Sequence, residues 1–207
     1  MKTIDLFEYD KKLYSSEVKF ICGVDEVGRG PLAGPVTVCA CIMDPDKPMI
    51  NGVNDSKKLT EKKREELFNI IKENSLCFSI VSKDEKIIDS INILNATKEA
   101  MKEAVLGLKV KPDLVLIDAV HIDGVENQKS IIKGDATSYA IACASILAKV
   151  TRDHFIAEMD KQFPMYNFAK NKGYGTKEHI NAIKKYGICK IHRLSYVKNF
   201  IGESHEN

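Results

Sequence analysis

The sequence lacks the features that place a protein in a membrane or in an oxidising compartment. It contains no uninterrupted apolar run near the roughly 18 residues that a bilayer-spanning helix needs. Charged side chains are spread over the N-terminal segment before the first strand, which argues against the apolar centre of a signal peptide. The six cysteines form no Cys-x-x-Cys pair and have no histidine at zinc-site spacing. We therefore expect a protein with no membrane association, located in the reducing cytoplasm.

An excess of charge of one sign is missing as well. The 31 Lys and Arg residues nearly balance the 29 Asp and Glu residues, so the formal net charge is only +2. Any binding to a polyanion must then depend on how charge is distributed, because the sum is too small. Repeats, low-complexity tracts and Pro/Ser-rich linkers are also missing. A chain of 207 residues, 44% of them apolar, can bury one large core, and we predict a single domain over residues 1–207.

The apolar segments predict an α/β protein built on a mixed sheet. Two adjacent apolar runs joined by a short turn favour an antiparallel pair, and the later strands alternate with helices. Such a sheet is covered by helices on both faces. Five strands are expected, at residues 20–26, 36–43, 76–82, 113–119 and 130–133. Helices are expected from the N-cap Thr60 and at 84–108, 137–162 and 176–186, with a small helical C-terminal segment from about 165 to 207.

Four carboxylates stand where strands end or a helix begins. Asp25 and Glu26 close one apolar run, Asp118 closes another, and Asp135 precedes a helix. Adjacent residues of a regular strand point to opposite faces, so Asp25 and Glu26 can share a site only if the strand ends or bends there. Gly28, directly afterwards, permits that bend.

An assembly of these acids would bind a hard cation. Carboxylates held together repel each other, and their pKa values rise unless a cation is bound. Ligation by oxygen alone suits Mg²⁺ or Mn²⁺ rather than zinc, and two such ions about 4 Å apart are common in phosphoryl transfer. Simpler interpretations stay open for single residues: Asp135 as the N-cap of the following helix, Asp118 as a strand-end turn residue, and Asp113 as the start of a strand.

Two segments have the character of phosphate-binding loops. Gly28-Arg29-Gly30 would expose backbone N–H groups to a phosphate, and Arg29 would add positive charge. The motif lacks the third glycine of a dinucleotide-binding fingerprint, and its simpler interpretation is a tight turn with positive φ at Gly28 or Gly30. Asp55-Ser56-Lys57-Lys58 precedes a helix in a similar way, although a Lys-Lys pair alone is typical of a solvated face.

One helix and one loop add further candidates for substrate contacts. Lys149 and Asp153 belong to a polar stripe on the helix 137–162 with Ser145 and Arg152, although they are also spaced for a plain i,i+4 ion pair. Tyr174 stands between two glycines on a loop that we expect to be flexible. An aromatic ring presented in this way suits stacking on a sugar or a base.

The histidines and the last arginine are harder to assign. His192 and Arg193 either bind phosphate or anchor the C-terminal tail, and the residues alone leave both open. His121 and His179 have no evident partner in the sequence, and we expect them at the surface.

Taken in order, these motifs resemble the ribonuclease HII family. They follow one another between residues 20 and 197 and so cover nearly the whole chain. The resemblance implies a ribonuclease H-like fold. It rests on Asp25-Glu26-x-Gly28-Arg29-Gly30-Pro31-Leu32-Ala33-Gly34-Pro35, Asp55-Ser56-Lys57-Lys58-Leu59, the strand ending at Asp118, Lys133-Gly134-Asp135, the helix carrying Ala144-Ser145-Ile146-x-Ala148-Lys149-Val150-x-Arg152-Asp153, Gly173-Tyr174-Gly175-Thr176 and His192-Arg193-x-Ser195, where x is any residue.

The resemblance implies an endonuclease that depends on Mg²⁺ or Mn²⁺, with one or two ions bound. Its substrates would be RNA–DNA hybrids and DNA duplexes that contain single ribonucleotides. The products would carry 3′-OH and 5′-phosphate ends. Such an enzyme would serve ribonucleotide excision repair and DNA replication, and we expect it to act as a monomer.

The resemblance also assigns roles to individual residues. The catalytic acids and metal ligands would be Asp25, Glu26, Asp118 and Asp135. The ribose 2′-OH at the RNA–DNA junction would be read by the backbone of Gly28, Arg29 and Gly30, and the adjoining deoxyribose would stack on Tyr174. The remaining substrate contacts would come from Ser56, Lys57 and Lys149.

Three positions depart from the usual family pattern. Val27 stands where alanine is commoner, Ala119 where glycine often follows the strand aspartate, and Tyr196 where phenylalanine is usual. Only Ala119 would alter loop geometry near the acids. The C-terminus has no Gln-x-x-hydrophobic-x-x-aromatic motif, so a sliding clamp is not expected as a partner.

Three alternative functions stay open. Ribonuclease HIII has the same fold but normally a longer N-terminal substrate-binding domain, for which the short segment before Asp25 leaves no room. A non-catalytic nucleic-acid-binding domain is disfavoured by the complete set of acids. A generic two-metal DNA nuclease would be distinguished by its action on an all-DNA duplex.

Overall fold

We describe the protein from a computed structural model, which covers residues 6–201, with side chains from residue 8 onward. Predictions about the outermost residues of the sequence fall outside this range. They concern part of the charged leader, the C-terminal end searched for a clamp motif, and the ends of the predicted 1–207 domain.

Seven α-helices and five strands make up the described part of the chain. The strands are β1 (Ile21–Val27), β2 (Val36–Met43), β3 (Ser75–Lys83), β4 (Leu114–Asp118) and β5 (Gln128–Ile131). The helices are α1 (Leu6–Lys11), α2 (Glu61–Asn74), α3 (Glu85–Leu106), α4 (Tyr139–Gln162), α5 (Phe168–Asn171), α6 (Lys177–Tyr186) and α7 (Leu194–Val197).

The strands form one mixed sheet in the order β3-β2-β1-β4-β5. The first three strands pair antiparallel, whereas β4 runs parallel to both β1 and β5. This confirms the predicted mixed five-stranded sheet. Because β1 and β4 are parallel neighbours, their carboxyl ends meet at the same edge, where Asp25 and Asp118 lie.

Helices cover both faces of the sheet, as predicted. On one face α3 contributes Met101 to a cluster with Val24 and Ile117. On the other face α4 lies directly on β1, since a β-carbon at Gly23 would stand 2.1 Å from the carbonyl carbon of Ala140. Only glycine allows this approach, which fixes α4 beside the end of β1 that carries the acids.

Most differences from the predicted boundaries have a local cause. β1 continues to Val27, and the chain turns only at Gly28, which has φ +94°. β5 ends at Ile131, and Lys133 then adopts the left-handed conformation with φ +57°. α3 is interrupted at Asn92, φ +65°, whose side chain accepts from the N–H groups of Leu94 and Asn95 and so caps the second half of the helix.

The C-terminal segment is helical and has a small core of its own. Phe168, Ile183 and Val197 pack there against Leu32, which follows the Gly-Arg-Gly turn. The cysteines are all free thiols, and only Cys189 is not fully buried. Within residues 6–201 no helix is both long and apolar enough to span a membrane.

Candidate active site

The first two acids lie side by side near the end of β1. Asp25 is only 5% exposed, and its Oδ1 accepts from the backbone N–H of Glu26 at 2.8 Å. Burial raises the pKa of Asp25 well above its usual value, and the charges of Glu26 and Asp118 raise it further, while a hydrogen bond from Ser145 opposes them. The strand does not end between the two acids, since its pairing with β2 continues through Val27. Both acids lie at the edge of the sheet where β1 ends, just before the turn at Gly28.

Glu26 has an unused carboxylate oxygen. Its Oε2 is buried and has no hydrogen-bond partner among the described residues, whereas Oε1 lies 3.5 Å from Nη1 of Arg29. Burial raises the pKa of Glu26, and Arg29 is the main opposing influence. A buried carboxylate oxygen without a donor is costly, so this oxygen is suited to a ligand that carries positive charge.

Asp118 is joined to the next turn of the chain. It ends β4, and its Oδ1 accepts from the N–H of Gly134 at 2.7 Å. Ala119 follows with φ +52°, a left-handed conformation in which glycine would be free of strain. Gly134 begins a short 3-10 helix, Gly134–Ala136, and this helix carries Asp135 to the site.

Asp135 completes the group of acids and does not cap a helix. The N-cap interpretation is wrong, because the side chain of Ser138 accepts from the N–H of Ile141 at the start of α4. Asp135 is 8% exposed. Burial raises its pKa, the carboxylate of Asp55 adds to the rise, and Lys57, whose Nζ lies 3.9 Å from Oδ2, opposes it.

The four acids are neighbours, but each faces a donor from the protein. Among residues 6–201 no group of three or more His, Cys, Asp or Glu side chains is arranged to hold one ion in common. Asp118 faces the Gly134 amide, Asp135 faces Lys57, and Glu26 faces Arg29. The donor set nevertheless fits a hard divalent cation, because it consists of carboxylate oxygens alone and includes the unpartnered Oε2 of Glu26.

Lys57 brings positive charge to the acids. Partial burial lowers its pKa, but the carboxylates of Asp135, Asp25 and Asp118 outweigh this and raise it. Its side chain is largely exposed. A protonated ammonium is therefore held beside the acids and open to solvent.

The turn Gly28–Gly30 follows the acids directly. Gly28, and not Gly30, has the positive φ, and it is buried, while Arg29 and Gly30 are exposed. The Arg29 carbonyl accepts from Arg193 Nη1 at 2.9 Å and from the Tyr196 hydroxyl at 3.1 Å. In contrast, the N–H groups of Arg29 and Gly30 have no acceptor within the described chain.

Tyr174 lies beside this turn on a loop that hydrogen bonds connect to the rest of the domain. A β-carbon at Gly30 would stand 3.7 Å from Cε1 of Tyr174, and Tyr174 as a whole is 44% exposed. The Gly173 carbonyl accepts from the N–H of Leu32 at 2.8 Å, and the Tyr174 carbonyl contacts Nδ1 of His179 at 2.9 Å, while the flexibility of the loop stays a prediction. The ring is thus presented to solvent from a hydrogen-bonded frame.

His179 and His192 form a buried pair behind Tyr174. The prediction of a surface position for His179 is wrong, since it is fully buried and its Nε2 lies 3.0 Å from Nε2 of His192. Burial lowers the pKa of both rings, that of His192 to about 4. His121 is exposed as predicted, although its Nε2 lies 3.7 Å from Asp123.

Arg193 anchors the tail and is not available to a phosphate. Its side chain is fully buried, and its guanidinium donates to the carbonyls of Gly28, Arg29 and Gly34. Of the two interpretations, anchoring is therefore correct.

The polar stripe on α4 serves several purposes. Lys149 donates to Asp153 at 2.7 Å, so the ion-pair interpretation is confirmed, and the role of Lys149 in substrate binding stays a prediction.

Ser56 contacts the acids through a second serine. The hydroxyl of Ser56 lies 2.9 Å from that of Ser145, which in turn bonds Asp25. Ser56 therefore stands behind the acids, buried, whereas its neighbour Lys57 faces solvent.

Two contributors to the site were not predicted from the sequence. Asp55 lies beside Asp135, and its place directly before Ser56 in the Asp-Ser-Lys-Lys segment was the available signal. The Tyr196 hydroxyl reaches the Arg29 carbonyl, and only its departure from the usual phenylalanine singled it out.

Comparisons with known proteins show which family the chain is similar to. A family model described as Ribonuclease HII matches residues 22–199. A protein named Ribonuclease HII from Caldicellulosiruptor bescii is 56% identical over 196 residues, which cover 94% of this chain and 95% of the relative. The crystal structure of ribonuclease H2 from Pyrococcus horikoshii OT3 has a TM-score of 0.72 at 26% identity and covers 88% of this chain and 97% of that chain. The crystal structure of Bst-RNase HIII in complex with Mn²⁺ has a TM-score of 0.60 at 19% identity, covers 81% of this chain and 63% of that chain, and shows likeness of fold alone.

Proposed function

Since the chain belongs to the ribonuclease HII family, and is thus a ribonuclease H, we propose that it also incises DNA duplexes at single embedded ribonucleotides. It would hydrolyse the phosphodiester to leave 3′-OH and 5′-phosphate ends. The observation that carries this proposal is the position of the turn Gly28–Gly30. Two backbone N–H groups without acceptors, those of Arg29 and Gly30, lie three and four residues after Glu26, on the same short segment as two of the four acids.

The four acids would hold one or two divalent ions, with Mg²⁺ or Mn²⁺ as the candidates. The chemistry of the donor set and the unpartnered oxygen of Glu26 support this assignment to Asp25, Glu26, Asp118 and Asp135. When bound, a divalent ion supplies positive charge that stabilises the charge developing on the phosphate oxygens.

The protein's own groups would position the substrate. The amides of Arg29 and Gly30 would donate to the 2′-hydroxyl, which DNA lacks. The exposed ring of Tyr174, beside Gly30, would stack on the adjoining sugar. Lys57 is protonated, largely exposed and next to the acids, so it would contact a phosphate of the strand being cut.

Ser56 and Lys149 have weaker support as direct contacts. Ser56 is buried against Ser145, and we infer that it acts by orienting Asp25 through that hydroxyl. Lys149 is engaged by Asp153, and a phosphate would have to compete with this carboxylate. We also infer a monomer that works in the cytoplasm without a sliding clamp, in keeping with its buried free thiols.

The deciding experiment is the incision of a duplex that carries one ribonucleotide. Parallel reactions would use an all-DNA duplex, a continuous RNA–DNA hybrid and Asp118→Asn protein, each with Mg²⁺ or Mn²⁺. We expect cuts only where ribose is present and almost none with Asp118→Asn. Cleavage of the all-DNA duplex would point to a general DNA nuclease, and cleavage of the hybrid alone would favour a ribonuclease HIII-like specificity. Full activity of Asp118→Asn would remove the metal assignment.

A further inference from the structure

Two residues of the C-terminal segment hold the turn Gly28–Gly30 from its inner side. The guanidinium of Arg193 donates to the Gly28 carbonyl, to the Arg29 carbonyl at 2.9 Å, and to the Gly34 carbonyl from Nη2 at 2.7 Å. One buried, planar group thus binds carbonyls at both ends of the loop. Its rigid fork suits this task, because the donors keep fixed relative directions.

Tyr196 adds a second donor at the same place. Its hydroxyl donates to the Arg29 carbonyl at 3.1 Å, and its ring lies 5.2 Å from the guanidinium carbon of Arg193. The ring therefore covers the arginine that it assists, in a cation–π arrangement. The Arg29 carbonyl thus accepts from both Arg193 and Tyr196. We call these two residues the turn support.

The geometry of the peptide bond connects this support to the exposed amides. In a trans peptide the carbonyl of one residue and the N–H of the next point to opposite sides. Holding the Gly28 carbonyl inward turns the Arg29 N–H outward, and holding the Arg29 carbonyl inward does the same for the Gly30 N–H. These are the two N–H groups that have no acceptor in the described chain.

The support is itself fixed to the main domain. The carboxylate of Asp89, on α3, accepts from the N–H groups of Leu194 and Ser195 at 2.7 and 3.0 Å. These residues open α7, which carries Tyr196. The C-terminal segment is therefore tied to α3 on one side and to the turn on the other.

We propose that Arg193 and Tyr196 are positioning residues for ribose recognition. They touch no substrate. They fix the peptide planes between residues 28 and 30, so that the amides of Arg29 and Gly30 meet a 2′-hydroxyl at a set distance from the acids. The inference rests on the proposed function, since it supposes that these amides read ribose.

Tyr196→Phe tests the proposal with the loss of one oxygen atom. We expect kcat/KM on a duplex with one ribonucleotide to fall about five-fold, the usual net effect of one hydrogen bond, with most of the loss in KM, because the contact with the 2′-hydroxyl is already made in the bound substrate. The matched control is Tyr166→Phe, because the Tyr166 hydroxyl also donates to a backbone carbonyl, that of Gly187 at 2.9 Å, away from the turn. The control should change stability alone.

A binding measurement separates positioning from general support of the fold. The affinity for a duplex with one ribonucleotide is compared with that for an all-DNA duplex, in EDTA, where a metal-dependent reaction does not proceed. Tyr196→Phe should reduce this ratio, and Tyr166→Phe should not. Arg193→Lys keeps the charge but loses the forked donors of the guanidinium, so a folded Arg193→Lys protein should show a still lower ratio. If Arg193→Lys does not fold, Tyr196→Phe alone decides the question.

The possible outcomes distinguish this inference from the proposed function. If the wild type incises the ribonucleotide and Tyr196→Phe matches it in both kcat/KM and affinity ratio, the turn support is overturned. The same holds if Tyr196→Phe lowers the unfolding temperature and leaves the ratio unchanged, because its role is then structural only. If the wild type neither incises nor prefers the ribonucleotide duplex, the proposed function fails and the inference fails with it.

Discussion

The backbone of Gly28 lies directly against the side chain of Arg152. A β-carbon at position 28 would stand 2.3 Å from Nε of Arg152 and 2.6 Å from the Pro35 carbonyl oxygen. The arginine cannot move aside easily, because it is buried and its guanidinium donates to the carbonyls of Ala33, Pro35 and Lys172. Positive φ at Gly28 adds to the demand for glycine.

Gly28→Ala should therefore destabilise the protein by about 3 kcal/mol, from overpacking and left-handed strain together. Denaturation by urea measures the loss, and incision should fall more than ten-fold. Gly30→Ala is the matched control, since its β-carbon would meet only Tyr174, at 3.7 Å. Its stability should change by less than about 1 kcal/mol. Equal destabilisation by the two variants would contradict this account of the turn.

Ala119 carries backbone strain next to a catalytic candidate. It has φ +52° directly after Asp118 and is exposed, so no packing compensates. Ala119→Gly should stabilise the protein by about 1 kcal/mol in urea denaturation, because glycine adopts this conformation freely. The control Ala157→Gly, within α4, should instead destabilise the protein by a similar amount. A destabilised Ala119→Gly would show that the turn after β4 is not strained.

Asp25 should reduce the stability of the metal-free protein. Its pKa is raised well above the usual value, so the ionised form is disfavoured in the fold, and the penalty is fully present at pH values above the folded pKa. At neutral pH and without metal, the free energy of unfolding of Asp25→Asn in urea should thus be about 1 kcal/mol higher than that of the wild type. The variant should lose its activity. Added Mg²⁺ or Mn²⁺ should stabilise the wild type more than the variant. A variant that is less stable without metal would contradict the prediction.

A second buried acid, Asp10, should make stability depend on pH. Asp10 accepts from the Ala140 N–H at 2.8 Å, and burial raises its pKa from 3.8 to about 6. Because the folded pKa is the higher one, the penalty is complete above pH 6 and disappears as the pH falls toward 4. The stability of Asp10→Asn minus that of the wild type should therefore grow by up to about 3 kcal/mol between pH 4 and 7.5. A difference that is constant across this range would show that Asp10 titrates normally.

The acids and the positions of the strands along the chain could be predicted from the sequence because both have local signals. An acid that ends an apolar run, as Asp118 does, is visible without any tertiary contact, and so is the capping residue Thr60. Asp135 was ambiguous for the same reason: an acid ahead of a helix looks like a cap, and only the folded chain shows that Ser138 does the capping.

The side chains that were misjudged depend on contacts distant in sequence. His179 lies on α6, and no residue near it in the sequence indicates that His192 will be its partner. Arg193 looks like a phosphate ligand because arginine usually is one near nucleic acid. Its actual acceptors are carbonyls more than 150 residues earlier in the chain, and no local pattern marks a carbonyl as lacking a donor.

The distance along the chain between Arg193 and the turn has a consequence for synthesis. β1 and β2 can pair as a hairpin as soon as they leave the ribosome, and the acids of β1 are then already in place on their strand. The Gly28 and Arg29 carbonyls meet their buried donor only when the end of the polypeptide has emerged and docked. A nascent or prematurely terminated chain would therefore have the acids of β1 without a supported turn, and under the proposed function ribose selection would be among the last properties to form.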